Sequence, residues 1–270
     1  MKKKRRCYSE PYLLRRPNGW VVMGRKNNAD RSSMWIYGKH AVKAALRNPQ
    51  RSILRFILME SSKDFSNEPG KLSLKPEIVD RNFFSAIFGR DAIHQGCAVQ
   101  VKKFPDYSID ELTTDKSDDR PFIFLDQVGD PQNIGSILRA SAVFGVRAVV
   151  VTENNSPELT PAIVKAASGA AESVPIIRVV NLVHAINNLK NDGFWCVGLD
   201  ERADKKIYET PLKGKIILVV GSEGEGLRRL TRETCDFLVQ LPCMEEFSTL
   251  NAAQAATVSL YEMLRQRRSE

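Results

Sequence analysis

With 270 residues, 43% of them hydrophobic, and a formal net charge of +8 at pH 7, the chain is long enough for two ordinary domains. No run approaches the roughly 18 consecutive apolar residues of a membrane span, so no membrane partner is expected. Five widely spaced cysteines without a C-x-x-C pair and three scattered histidines argue against a disulfide framework and against a metal centre.

The N-terminus, "MKKKRRCYSEPYLLRRPNGW", is basic but has no apolar core for a secretory signal, and Glu10 with two prolines suits a transit peptide poorly. A cytoplasmic protein is the expectation. Residues 1–31 hold ten Lys or Arg against Glu10 and Asp30, which is the entire formal charge, so the rest of the chain is balanced. Residues 1–32 are therefore expected to be a disordered basic tail. It would serve as a solubility arm or as a sequence-blind grip on nucleic-acid phosphates.

A small α/β unit is predicted over residues 33–106. "WIYGKHAVKAALRNP" reads as an amphipathic helix stopped by Pro49, "SILRFILME" as a strand and "SSKDFSNEPGKL" as a polar loop. "EIVDRNFFSAIFG" has helical spacing, and "CAVQVKKF" is strand-like. Residues 107–120 are acid-rich without apolar periodicity and read as a linker.

From Pro121 to the C-terminus at residue 270 the pattern becomes regular. "FIFLDQV", "VRAVVVT", "SVPIIRVV", "FWCVGLD", "KIILVVG" and "FLVQLP" are strand-like. Helical stretches separate most of them, and "TLNAAQAATVSLYEMLRQRR" closes the chain as a long helix. Such alternation predicts an α/β domain with a parallel sheet covered on both faces. Ligands of such sheets bind beyond the carboxyl ends of the strands, which directs attention to three strand-end loops.

In the first, "GDPQNIGSILRAS", Asp130 and Pro131 make a favourable helix start. Taken alone, Asn133 is equally a turn residue and Arg139 equally a solvated one. The second, "VVGSEGEGLRRL", lacks both G-x-G-x-x-G and the Lys-Ser/Thr of a phosphate-binding loop. Glu223 and Glu225 would repel a pyrophosphate, which argues against a nicotinamide oxidoreductase. They suit a ligand with hydroxyls, an amine or a positive centre, approached closely by the glycine backbone. The third, "LPCMEEFSTLNAAQAAT", leads into the last helix, where Ser248 or Thr249 would serve as an N-cap.

In this order and on one sheet, "DQVGDPQNIGSILRASAVFG", "VVGSEGEGL" and "LPCMEEFSTLNAAQAA", with "KAASGAAESVPI" between them, resemble the SpoU-type branch of the SPOUT RNA methyltransferases. The likeness covers residues 121–267. "IYGKHAVKAAL" and "HQGCAVQV" extend it to the substrate-binding domain of the ribosomal-RNA guanosine 2′-O-methyltransferase subgroup.

The resemblance implies a deep trefoil knot, a homodimer, an RNA substrate, and S-adenosyl-L-methionine as methyl donor. Its cofactor positions fall on Gly221, Leu241 and Leu250, with Val220, Glu223, Gly224, Cys243 and Asn251 close by. Its catalytic positions fall on Asn133, Arg139, Glu223, Thr249 and Asn251. Arg139 is the base in the family's usual assignment, but a guanidinium with a pKa above about 12 rarely gives up a proton. A clamp on phosphate and developing alkoxide is the alternative role. The last motif departs from the family's usual Ser-Leu-Asn and Val-Ser: Thr249-Leu250-Asn251-Ala252-Ala253 stands there, and Cys243 and Glu245 replace Met and Gly. Transfer-RNA methylation and an inactive RNA- or ribosome-binding homologue are the competing readings.

Overall fold

Two stacked α/β units account for almost every apolar run in the sequence. The computed structural model describes residues 13–16, 19–22, 32–67, 74–104, 106–154, 156–244 and 250–268. Within the segment expected to be a disordered tail, β1 (Leu13–Arg16) and β2 (Gly19–Val22) pair antiparallel. The remainder of that basic segment, residues 1–12, 17–18 and 23–31, lies outside the described residues.

The first unit is a four-stranded sheet of β3 (Ser33–Tyr37), β4 (Ile53–Met59), β5 (Glu77–Val79) and β6 (Cys97–Lys102), in the order β3-β6-β4-β5. One face is covered by α1 (Lys39–Arg47), through Ala41, Val42 and Ala45 against Ile36, Leu58 and Val99. The other is covered by α2 (Arg81–Phe88), where Phe84 packs with Ile57 and Ala98.

Three sequence expectations are corrected here. "WIY" is a strand, because Trp35 and Tyr37 serve one face while Ile36 serves the other; Gly38, at φ +93°, turns the chain before α1 begins. "EIV" is likewise a strand ahead of α2, whose start Asp80 caps by accepting the Phe83 N–H. Residues Glu60–Asn67 form 3₁₀ turns rather than an open loop.

The acid-rich segment is not a free linker. It carries α3 (Ile109–Leu112), closed by a capping box between Ser108 and Glu111. The buried guanidinium of Arg147 donates to the carbonyls of Leu112, Asp115 and Asp118 and pairs with the Asp118 carboxylate at 3.2 Å. One acid and three carbonyls of the segment serve this buried cation, so the segment is tied to the second unit.

That second unit is a six-stranded sheet, parallel throughout, of β7 (Phe122–Asp126), β8 (Ala148–Thr152), β9 (Ile176–Val179), β10 (Trp195–Leu199), β11 (Ile216–Gly221) and β12 (Phe237–Val239). The order is β12-β10-β11-β7-β8-β9. Every residue of β7 and β8 is buried, as continuous apolar runs require when both faces are covered. Ile123 and Leu125 point to the face carrying α4 (Pro131–Val143), α5 (Pro161–Ala166) and α8 (Ala252–Arg268). Phe122 and Phe124 point to the other, where α6 (Leu182–Asn191) and α7 (Arg229–Thr234) lie. Asp130 caps α4 and Pro131 opens it, as the sequence indicates. The two units share one apolar core, in which α5 meets β3 and α1. Among the described residues no helix is long and apolar enough to cross a membrane.

Candidate active site

The β11 strand leaves the sheet at Gly221, in register with Asp126 at the end of β7. The backbone then folds back on itself: Ser222 donates to the Gly226 carbonyl at 3.2 Å, and Gly226 donates to the Ser222 carbonyl at 3.0 Å. This reversal explains the glycines. A Cβ on Gly221 would stand 2.2 Å from the carbonyl carbon of Gly226, and Gly224 turns at φ +88°, a region side chains rarely adopt.

A buried carboxylate holds the loop from below. Asp126 is 0% exposed; its Oδ1 accepts from Arg228 Nε at 2.6 Å and its Oδ2 from the Arg228 backbone N–H at 3.0 Å. Neither residue stands out in the sequence reading. The available signal was an acid ending the otherwise wholly apolar run "FIFLD", which is costly to bury unless paired.

Beside this loop opens a cleft of about 980 Å³, and all eight cofactor positions implied by the resemblance line it: Val220, Gly221, Glu223, Gly224, Leu241, Cys243, Leu250 and Asn251. A further wall, missed by the sequence reading, is the turn after β10. Asp200, Arg202 and Lys206 line it, and Asp200 pairs with Arg232 at 2.9 Å. "FWCVGLD" also ends at the carboxyl edge of the sheet, so the strand-end rule applies to it equally.

The catalytic positions implied by the resemblance divide. Asn133 is buried in the first turns of α4, and its Nδ2 donates to Glu223 Oε1 at 2.7 Å, so two residues 90 apart in sequence meet at the cleft. Asn251 lines the cleft while its Oδ1 accepts the Gln254 N–H at 2.8 Å, capping α8. Thr249 and Glu245 lie outside the described residues. Arg139 is exposed on α4, does not line the cleft of its own chain, and has no hydrogen bond or ion pair among the described residues.

The lining fits S-adenosyl-L-methionine. Val220, Leu241, Leu250 and Ala252 offer apolar contact for a purine, the glycine loop offers backbone at close approach, and Glu223 offers a carboxylate toward a sulfonium or amine. Among the described residues no group of three His, Cys, Asp or Glu could hold a metal ion.

The thiols supply a direct probe of occupancy, because the thiolate is the reactive form. Burial pushes the Cys97 thiol up to about 12. A hydrogen bond to Cys235 and then burial push Cys196 well above the ordinary range. Cys243 is exposed in the cleft. Alkylation followed by peptide mass spectrometry is expected to label Cys243 in the native protein while sparing Cys97 and Cys196. S-adenosyl-L-methionine at about ten times its Kd should slow Cys243 labelling about tenfold; an unchanged rate would place the cofactor elsewhere.

The family described as SpoU rRNA Methylase matches residues 120–261, and RNA 2′-O ribose methyltransferase substrate binding matches residues 35–107. The 23S rRNA (guanosine-2′-O-)-methyltransferase RlmB of Pectobacterium atrosepticum is 39% identical over 240 residues, covering 86% of this chain and 98% of that protein. Its namesake in Escherichia coli K12 is 37% identical over 242 residues, covering 87% and 99%. In structure the chain is similar to the SpoU methyltransferase AviRb from Streptomyces viridochromogenes in complex with AdoMet, with TM-score 0.74 and 21% identity over 92% of this chain and 96% of that one. That likeness speaks for the fold, and the sequence matches speak for the lineage. On the glycine loop, the Asn133–Glu223 contact and these matches together, the chain belongs to the SpoU rRNA methylase family.

Proposed function

We propose that this protein methylates the 2′-hydroxyl of a guanosine ribose in 23S ribosomal RNA, using S-adenosyl-L-methionine. The observation that carries the reading is the convergence of the loops after β10, β11 and β12 on one cleft, with Asn133, from the loop and helix after β7, joined to Glu223 at its edge. The match of residues 35–107 to a substrate-binding domain, and relatives similar along both units, favour ribosomal over transfer RNA.

When bound, the cofactor supplies an electrophilic methyl group on a sulfonium. The chain's own residues position and neutralise. Asn133 holds Glu223 in one orientation, and Glu223 presents negative charge to the cleft. Arg139 meets the charge that develops on the ribose oxygen and forks onto a neighbouring phosphate.

For that role Arg139 needs a second copy of the chain. The α4 helix that carries it packs against α8, and both leave apolar side chains in solvent: Val143, Val258 and Tyr261. A homodimer closed over this face would cover them and bring Arg139 toward the partner's cleft. The trefoil knot belongs to the same proposal. In its support, the chain passes from β12 at the sheet edge to α8, which packs back on β11 and α4 near the centre. So does a cytoplasmic setting, where ribosomal RNA is met, with the basic residues of segment 1–31 lending salt-dependent affinity.

Mapping ribose methylation in 23S RNA from cells with and without the protein tests the substrate. One guanosine is expected to lose its methyl group in the deletion strain. Loss confined to transfer RNA, or no loss at all, would overturn the proposal.

A further inference from the structure

The motif "KAASGAAESVPI" lies away from the cleft, and the structure shows what it touches. Glu172 ends a 3₁₀ turn after α5 and faces the first unit. Its Oε2 accepts from Arg51 Nε at 2.9 Å and from Asn48 Nδ2 at 2.7 Å. The Arg51 and Glu172 side chains are each only 5% exposed. Arg51 also donates to the Lys102 carbonyl at 3.2 Å, and its guanidinium lies 3.3 Å over the Phe104 ring.

We propose that Glu172 is a positioning residue that locks the substrate-binding unit to the methyl-transfer unit, holding bound RNA in fixed register with the catalytic machinery. This rests on the reading of residues 33–106 as the RNA-holding unit.

Three observations carry it. First, the pair is an unfavourable way merely to glue two surfaces: Glu172 Oε1 is buried with no partner among the described residues. An apolar pair of similar volume would hold at least as well, whereas a directional ion pair selects one docking orientation. Second, the docking leaves no slack, because a Cβ on Gly169 would stand 2.6 Å from the Ala44 Cβ of α1. Third, the contact is continuous with the site. A Cβ on Gly135 of α4 would stand 2.4 Å from the Ala166 Cβ of α5, and two residues before Gly135 lies Asn133, bonded to Glu223. A shift of the first unit is therefore passed through two tightly packed helices to the cleft.

The test compares Glu172→Gln with the double variant Arg51→Met/Glu172→Leu, which removes both charges but refills the space. Steady-state methylation of a 23S RNA fragment, calorimetry with S-adenosyl-L-methionine, thermal melting and amide hydrogen exchange are read on the full-length protein. Glu172→Gln is expected to raise KM for RNA about tenfold, with kcat and cofactor affinity close to wild type, and to speed exchange across α1 and residues 169–172. The double variant is expected to melt at or above the wild-type temperature yet keep the raised KM, since it restores packing without orientation.

An unchanged KM in Glu172→Gln, a KM restored together with stability in the double variant, or an equal loss of cofactor affinity would each overturn the proposal. If the wild-type protein itself fails to bind the RNA fragment, the functional reading falls. Exchange then decides the lock: faster exchange in Glu172→Gln sustains it, and unchanged exchange ends it.

Discussion

A Gly221→Ala protein is expected to bind S-adenosyl-L-methionine at least about 100-fold more weakly than wild type while keeping its fold. The added methyl carbon would stand 2.2 Å from the Gly226 carbonyl carbon, 2.4 Å from its oxygen and 2.6 Å from the Leu227 nitrogen. All three are backbone atoms, so no side-chain rotation relieves the clash, and the loop between Ser222 and Gly226 must move as a body. Forcing such a contact costs on the order of 1–3 kcal/mol or more. The core beneath, where Leu218, Val219 and Val220 are buried in β11, is untouched, so the cost falls on the loop and on the cleft it lines. A binding loss of about 2.7 kcal/mol is a factor of about 100 in Kd. Calorimetry measures it, with Gly129→Ala as the control, because a Cβ at Gly129 meets nothing within 4 Å. Equal affinities for Gly221→Ala and wild type would show that the cofactor does not use this loop.

Replacing Arg139 by alanine is expected to lower kcat by about 10²–10³, the usual consequence of losing one group aimed at developing charge, with cofactor affinity unchanged. The sharper experiment mixes two inactive proteins. Arg139 is exposed and absent from the cleft of its own chain, so in a dimer it would serve the partner. Subunits of Arg139→Ala keep an intact cleft, and subunits of Gly221→Ala keep an intact arginine. If the arginine acts across the interface, each mixed dimer has one working site. Equal random mixing would then restore about a quarter of wild-type activity. If it acts within its own chain, mixing restores nothing. Arg139→Lys separates fork from charge: it keeps the positive charge but loses bidentate geometry, and near-wild-type turnover would remove the phosphate-fork role.

Much of the fold was legible because its signals are local. The runs "FIFLD", "AVVVT" and "IILVVG" are strands buried on both faces, a state that continuous apolar sequence favours wherever it occurs. Asp130-Pro131 announces a helix start by capping and by a preset φ, and the structure uses both. Two kinds of error stand out. "WIY" was joined to the helix after it, and "EIV" to α2, because three-residue runs carry too few repeats to separate a period of 2 from one of 3.6. The acid-rich segment read as a linker because its partner, Arg147, lies beyond it in sequence and reaches it only once the sheet has formed.

The site divides along the same line. From residue order alone, the glycines and acids of "VVGSEGEGL" already excluded a pyrophosphate and pointed to a closely approached, positively charged or hydroxylated ligand, since like charge repels whatever the fold. What only the tertiary structure decided was which groups meet. Asn133 on Glu223, Asp126 beneath Arg228, Glu172 against Arg51 and the turn after β10 across the cleft are each a contact between distant segments. Such contacts depend on strand order, and strand order is set by how whole faces bury against one another. A single sequence records which residues seek burial, but not which other buried residues they will find.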